Sequence, residues 1–378
     1  MEREIDTNRK MMGLLQKKIF DSSPPPFGLD VSDLSLKGLW LSREGNQEQV
    51  VSYGSVAVPQ GAILDGEIIK EDVVVESIRK LLAIAGPKRI STRRVICSLP
   101  ETKAFLRIIS VPKMSENEAK EAMKWELEAN IPLSLDQVYF DWQILPDSLS
   151  LEKGKMGVLV VAVSVPTADQ FHSVLEKAGL EVVGLETESI AQARSLLPET
   201  VGKEGDQTVL IVDIGDRRSS FVMAIGNVPV FTSSIHLSSQ MMTDAISKQM
   251  NIPFAEAEKL KIREGLGSFA LPTPQMQAIR PILENLAVEI ERSMDFYFTT
   301  LRYSDRLDAI VFCGGGANMQ GLLPYFAKRL RQHIEFGNPW VNIRLGGAVP
   351  PISKERSSQY STVIGLALRG LDEYESIA

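Results

Sequence analysis

The sequence predicts an α/β protein of two related halves, with a small strand–helix–strand–strand lobe inserted into the first. Three observations carry this. An apolar strand ending in Asp, a polar turn and a returning apolar strand occur at Phe27–Leu41 and again at Thr208–Gly226, about 180 residues later. A glycine triplet, Gly314-Gly315-Gly316, follows the apolar run Ala309–Phe312, where a strand gives way to a helix. Between the halves, Thr102–Val165 reads as a unit of its own.

Bulk properties narrow the class. At 378 residues the chain exceeds what one small core holds, so two lobes are expected. Apolar residues at 44% and charged residues at 24% are ordinary for a globular protein. A net charge of −7 argues against nucleic acid as a partner, which would need a basic face. No apolar run reaches the ~18 residues of a membrane span, and the charged start Met1–Lys10 does not read as a signal peptide. Cys97 and Cys313 sit in strand-like runs and are expected to be buried and reduced, as in cytoplasm. His172, His236 and His333 are isolated, so no zinc site is expected.

In chain order, residues 1–26 read as a flexible leader, with a possible short surface helix at Met11–Phe20. The first half occupies 27–101 and 166–203: the Asp30 hairpin, a third strand at Gln49–Val58, a helix at Glu71–Ile84 and a strand at Arg94–Leu99. The insert, 102–165, has a strand at Phe105–Val111, a helix opened by the capping box Ser115-Glu116-Asn117-Glu118, and strands at Gln137–Leu145 and Met156–Val165. Trp125 in that helix reads as core. A helix at Thr167–Ala178, a strand at Glu181–Leu185 and a helix from Glu186 complete the first half. The second half, 204–355, holds the Asp213 hairpin, helices at Ser238–Met250 and Pro253–Arg263, a loop at Gly265–Pro274 and a long amphipathic helix at Pro281–Tyr303. After the glycine turn a helix runs to about Gln332, and 356–378 is a last helix packed back on the first domain.

Two facing Asp hairpins can grip a polyphosphate and its magnesium, each turn offering backbone N–H groups and a carboxylate. The glycine triplet lets backbone approach a nucleoside where a Cβ would clash. Each piece is weak alone; together they indicate a nucleotide cleft.

This set resembles the actin, Hsp70 and sugar-kinase superfamily, of ribonuclease H-like duplicated domains, and within it is similar to the PilM family of type IV pilus assembly. The residues that carry the likeness are Gly28-Leu29-Asp30, Val111-Pro112-Lys113-Met114-Ser115, Lys124-Trp125-Glu126 with Ile131-Pro132, Asp141–Leu145 and Val212-Asp213-Ile214-Gly215. The insert looks like the FtsA-type subdomain. The resemblance implies ATP and magnesium as cofactors, with Asp30 and Asp213 beside the metal through water. It implies that Ser32, Ser35, Gly215, Ser219 and Ser220 line the phosphates, Glu258 and Lys261 meet the ribose, and Gly314, Gly315 and Gly316 flank the nucleoside. Glu188 falls where these hydrolases orient the attacking water. The implied role is a scaffold at the cytoplasmic face of the inner membrane, holding the tail of a PilN-like protein and meeting pilus motor ATPases.

Departures from the pattern matter. Ser32 stands where the family has glycine, and Asp216-Arg217-Arg218 crowd the second turn, so weak or absent hydrolysis is expected. Arg217 and Arg218 read equally as phosphate neutralisers or as solvated turn residues. An FtsA-like tethered filament former is the alternative, although no amphipathic tail follows the last helix. A sugar or acetate kinase would need a second acid motif that is not evident.

Overall fold

The computed structural model describes residues 24–115, 118, 123, 125–129, 134–150, 152, 154–199, 206–267, 273–301, 303, 306–345 and 351–377. The leader segment Met11–Phe20, Lys124 and Ile131 lie outside them.

The first half begins with β1 (Phe27–Val31), β2 (Ser35–Glu44) and β3 (Gln47–Ala57). A short hairpin of β4 (Ile63–Leu64) and β5 (Glu67–Ile68) leads to α1 (Glu71–Ile84), β6 (Gly86–Pro87) and β7 (Arg94–Leu99). The lobe contributes β8 (Ala104–Pro112), β9 (Val138–Ile144) and β10 (Lys155–Ser164). The first half resumes with α2 (Val165–Lys177), β11 (Glu181–Thr187) and α3 (Glu188–Leu196). The second half runs β12 (Thr208–Ile214), β13 (Ser219–Ile225), β14 (Val228–Ile235), α4 (Ser239–Met250), α5 (Phe254–Glu264) and α6 (Pro274–Phe296). It continues with β15 (Ala309–Cys313), α7 (Leu322–Leu330) and β16 (Ile334–Phe336). The chain closes with α8 (Lys354–Ser357) and α9 (Ser361–Ile377).

The two large sheets are wired alike. Their orders are β11-β7-β1-β2-β3-β6 and β14-β13-β12-β15-β16. In each, the strand that carries the Asp runs antiparallel to the next strand and parallel to a later one: β1 with β2 and β7, β12 with β13 and β15. Val209–Val212 is buried throughout, as an unbroken apolar run in a central strand covered on both faces should be. One core lies around Phe221, Ile290, Phe312 and Phe326, another around Phe27, Leu36, Ile78 and Phe171.

Helix α9 lies on β1, β2 and α3, with Val363, Ile364 and Ala367 against Leu39 and Leu41. It meets α3 backbone to backbone: a Cβ at Gly365 would fall 1.8 Å from the Ala191 carbonyl oxygen. The lobe is a three-stranded sheet, β8-β10-β9, and among the described residues its edge strand β9 pairs only with β10. Its capping box forms: the Ser115 N–H donates to Glu118 Oε2 at 2.7 Å, and the Glu118 N–H to Ser115 Oγ at 3.4 Å.

Several expectations are corrected. The long helix starts at Pro274, not Pro281, because the Thr273 hydroxyl caps it by accepting the Met276 N–H. Pro281 removes one helical bond without ending the helix. The helix after the glycine turn stops at Leu330, where Arg331 takes φ 54°, and β16 follows. Trp125 is 76% exposed on the lobe rather than core. Among the described residues no helix is long and apolar enough to cross a membrane.

Candidate functional site

The two hairpins meet across a cleft of about 250 Å³. Asp30 lies in the wholly buried β1, one residue before its end, and stands opposite Lys37 in the β1–β2 register. Lys37 Nζ reaches Asp30 Oδ2 at 3.2 Å and Ser35 Oγ at 3.1 Å. The Ser98 hydroxyl donates to Asp30 Oδ1 at 3.2 Å and accepts the Val31 N–H at 2.9 Å, which fixes the carboxylate from the floor. Burial alone would lower the Lys37 ammonium, but the Asp30 carboxylate, helped by Asp216 and Asp213, holds it above its ordinary value.

Asp213 is held differently. The Gln192 amide, one helical turn beyond Glu188 on α3, donates to Asp213 Oδ2. Burial, with Asp30 and Asp216 adding to it and Lys37 and Gln192 opposing, pushes the Asp213 carboxyl up to about 6. Burial also pushes Glu188 well above the usual carboxylate range, reinforced by Asp30, Glu101 and Asp213; the Glu101 N–H opposes it. Lys37 is thus a cation set among three carboxylates of the cleft, Asp30, Asp213 and Asp216. Arg218 stands at the rim, 3.5 Å from Asp65 of the facing half and 3.1 Å from His236. Arg218 is therefore ion-paired, which neither sequence reading of it anticipated.

The glycine triplet divides by role. A Cβ at Gly314, which has φ 82°, would fall 2.0 Å from Asp213 Oδ1, and one at Gly316 would fall 2.4 Å from Ile214 Cγ2. Both are small because the second hairpin packs on them. Gly315 alone faces open space within 4 Å, and it lines the cleft.

Asp30, Ser32, Ser35, Glu188, Asp213, Gly215, Ser220, Gly314 and Gly315 all line this cleft. Four expected residues do not. The Ser219 hydroxyl turns inward and donates to the Leu237 carbonyl at 2.7 Å. Gly316 is covered by Ile214. Lys261 is buried under α4, bonded to the Ser239 carbonyl and hydroxyl and to Thr243, with Glu258 beside it at 2.9 Å. That network bears on the cleft only indirectly: the Ser239 N–H donates to the Gly215 carbonyl at 3.0 Å, seating the start of α4 on the second turn.

Sequence reasoning missed Lys37, Ser98, Gln192 and Glu101. Lys37 was accessible, since strand alternation puts it on the face of Ser35. Gln192 was accessible too, four residues after Glu188 on one helix. Ser98 and Glu101 carry no pattern.

A second cavity, a groove of about 880 Å³, runs between the lobe and the first half. Tyr139–Gln143 of edge strand β9 form one side, and Ala168, Leu185, Ile190 and Arg369 the other. Five carboxylates line it, Asp141, Asp169, Glu186, Asp372 and Glu373, against two guanidiniums, Arg194 and Arg369. Both guanidiniums bind the buried Glu186.

Known proteins share this architecture. MreB5 of Spiroplasma citri bound to AMPPNP superposes with TM-score 0.51 at 14% identity, over 94% of this chain and 98% of that one, and has the same actin-like fold. Cell division protein FtsA of Pseudomonas aeruginosa is 26% identical over 234 residues, 57% of this chain. The chain thereby spans about half, 54%, of the length of that curated relative. A chain of a PilM–PilN type IV pilus biogenesis complex is 28% identical with TM-score 0.76, over 92% of this chain and 98% of that one. The family model of type IV pilus assembly protein PilM matches residues 28–371. That match runs from the glycine two positions before Asp30 into α9, and on it the chain belongs to the PilM family of type IV pilus assembly proteins.

Proposed function

We propose that this protein is a nucleotide-binding scaffold that holds the cytoplasmic tail of a PilN-like inner-membrane protein. It would work at the cytoplasmic face of that membrane and there meet the pilus motor ATPases. The observation that carries the reading is the coexistence of a hairpin-lined cleft and a separate acidic groove beside an unpaired strand edge. An extended peptide adds readily to such an edge, and the excess of carboxylates favours a basic one. Cytoplasmic flanks of membrane helices are rich in Lys and Arg.

In the cleft, Lys37 would meet phosphate, and Gly315 would admit the nucleoside. The donor set fits magnesium held through water. Among the described residues no three acidic, His or Cys groups converge to ligate a metal directly. Asp30 and Asp213 are nonetheless carboxylates whose mutual repulsion a divalent cation would relieve. Magnesium would supply charge neutralisation of the phosphates. The cleft is smaller than the ~300–1,000 Å³ usual for such ligands, so binding includes a parting of the Asp65–Arg218 contact at its rim. Ser32 and the bulky Asp216-Arg217-Arg218 turn line the cleft where phosphate would sit, which favours slow hydrolysis or none.

Calorimetric titration with magnesium and ATP tests the first claim, and capture of the PilN-like tail by the purified chain tests the second. No heat with ATP removes the nucleotide reading. No capture removes the scaffold reading. The FtsA similarity supports a second reading, a filament former. Robust ATP-dependent pelleting on lipid vesicles would favour it.

A further inference from the structure

The cleft and the groove share a wall. Leu99, at the end of β7, faces the groove, while the next residues, Pro100 and Glu101, face the cleft. One strand over, Glu186 and Thr187 of β11 face the groove, Glu188 faces the cleft, and Ile190 returns to the groove. These strand ends are paired in parallel, with Thr187 opposite Leu99.

Beyond the pairing they are cross-bonded. The Ser189 N–H donates to Glu101 Oε2 at 3.2 Å, so the end of β7 is tied to the first turn of α3 beside Glu188. Glu101 is only 8% exposed, and among the described residues its Oε1 has no direct hydrogen-bond partner. It lies close to Thr232 on β14, so one side chain touches the start of the lobe, α3 and the second half. A buried oxygen without a partner is costly to hold and readily exchanges one arrangement for another.

We propose that Glu101 couples the two sites, so that filling the groove changes the affinity of the cleft for magnesium nucleotide, and the reverse. The inference rests on the reading of the cleft as a nucleotide seat and the groove as a tail site. A segment pressed on the partly exposed Leu185 and Ile190, which flank the buried Thr187, displaces the strand end whose next residue is Glu188. A cation in the cleft pulls on Glu188, and the bond from the next residue's N–H, that of Ser189, to Glu101 carries that pull back to the end of β7. Because such coupling is a free energy, it must be equal in both directions.

The test uses the full chain, a fluorescent ATP analogue with magnesium, and a synthetic peptide of the cytoplasmic tail of the PilN-like partner. Nucleotide affinity is measured with and without saturating peptide, then peptide affinity with and without nucleotide. The expected ratio is about 5-fold or more and the same in both directions. In Glu101→Ala the ratio falls toward one, whatever the separate affinities become. A ratio of one in the unaltered chain, or an undiminished ratio in the folded variant, overturns the coupling. If neither ligand binds the unaltered chain, the functional reading falls with it; if both bind without a ratio, only the coupling falls. Should Glu101→Ala fail to fold, hydrogen exchange of the unaltered chain decides. Peptide must then alter amide protection at Glu188–Gln192, and no change there counts against the proposal.

Discussion

Asp30 and Asp213 hold matching places in two sheets of like wiring, yet their surroundings differ. Asp30, 6% exposed, has an ammonium from Lys37 and a hydroxyl from Ser98. Asp213 has an amide from Gln192, and its carboxyl titrates near 6. Duplication reproduces the backbone, and the neighbours then divide the labour. The first hairpin brings the cation that can meet a phosphate. The second presents a carboxylate that an arriving metal would stabilise.

Removing the cation should give the largest effect. Lys37→Ala leaves Asp30 buried and unpaired, and a loss of about 3–5 kcal/mol is expected in urea unfolding. If the loss is under ~1 kcal/mol, the two carboxylates are held alike after all. Asp213→Asn should act in the opposite direction, stabilising the ligand-free chain by about 2 kcal/mol at pH 8 while abolishing the magnesium dependence of nucleotide binding. The sign follows from the raised carboxyl. The folded state keeps the proton up to about 6, against 3.8 for a free Asp, so the natural chain gains stability as pH falls through that window. The gap between the two should close below pH ~4, which thermal melts across pH would follow.

Ser98→Ala withdraws the floor of the first hairpin only, leaving the Val31 N–H without its acceptor; about 1–2 kcal/mol should be lost. Arg218→Ala should change stability by less than ~1 kcal/mol, because its pair with the 60% exposed Asp65 is screened. It should raise the association rate of nucleotide, measured by stopped-flow, if the pair hinders access. An unchanged rate would mean that the rim is already open.

Much of this was legible in the residues. The Asp hairpins announce themselves because an apolar run, an acidic end and a polar turn are local, and β12 is apolar for the plain reason that both of its faces are covered. The start of α6 was misplaced because two prolines compete for the role, and the hydroxyl of Thr273 decides between them. The cleft was read down to nine lining residues, but Lys261 went astray. A Lys that follows a Glu by three positions looks the same in sequence whether its ammonium faces a ligand or is buried under the neighbouring helix. Trp125 shows the converse: helical spacing marks a face, and nothing local says whether that face is covered. Glu101 could not have been found, since its partners lie at Ser189 and Thr232, far along the chain.

Gly315 has one more consequence. Its neighbours at 314 and 316 are committed to the protein's own packing, whereas 315 sits at φ −64° and ψ −36° with open space beside it, a conformation that any residue adopts. Folding therefore places no demand on this position, and a bulky side chain there acts as a plug rather than as damage. A Gly315→Leu chain would be an intact protein with a stoppered cleft, in which every task that survives is one that needs nothing seated there.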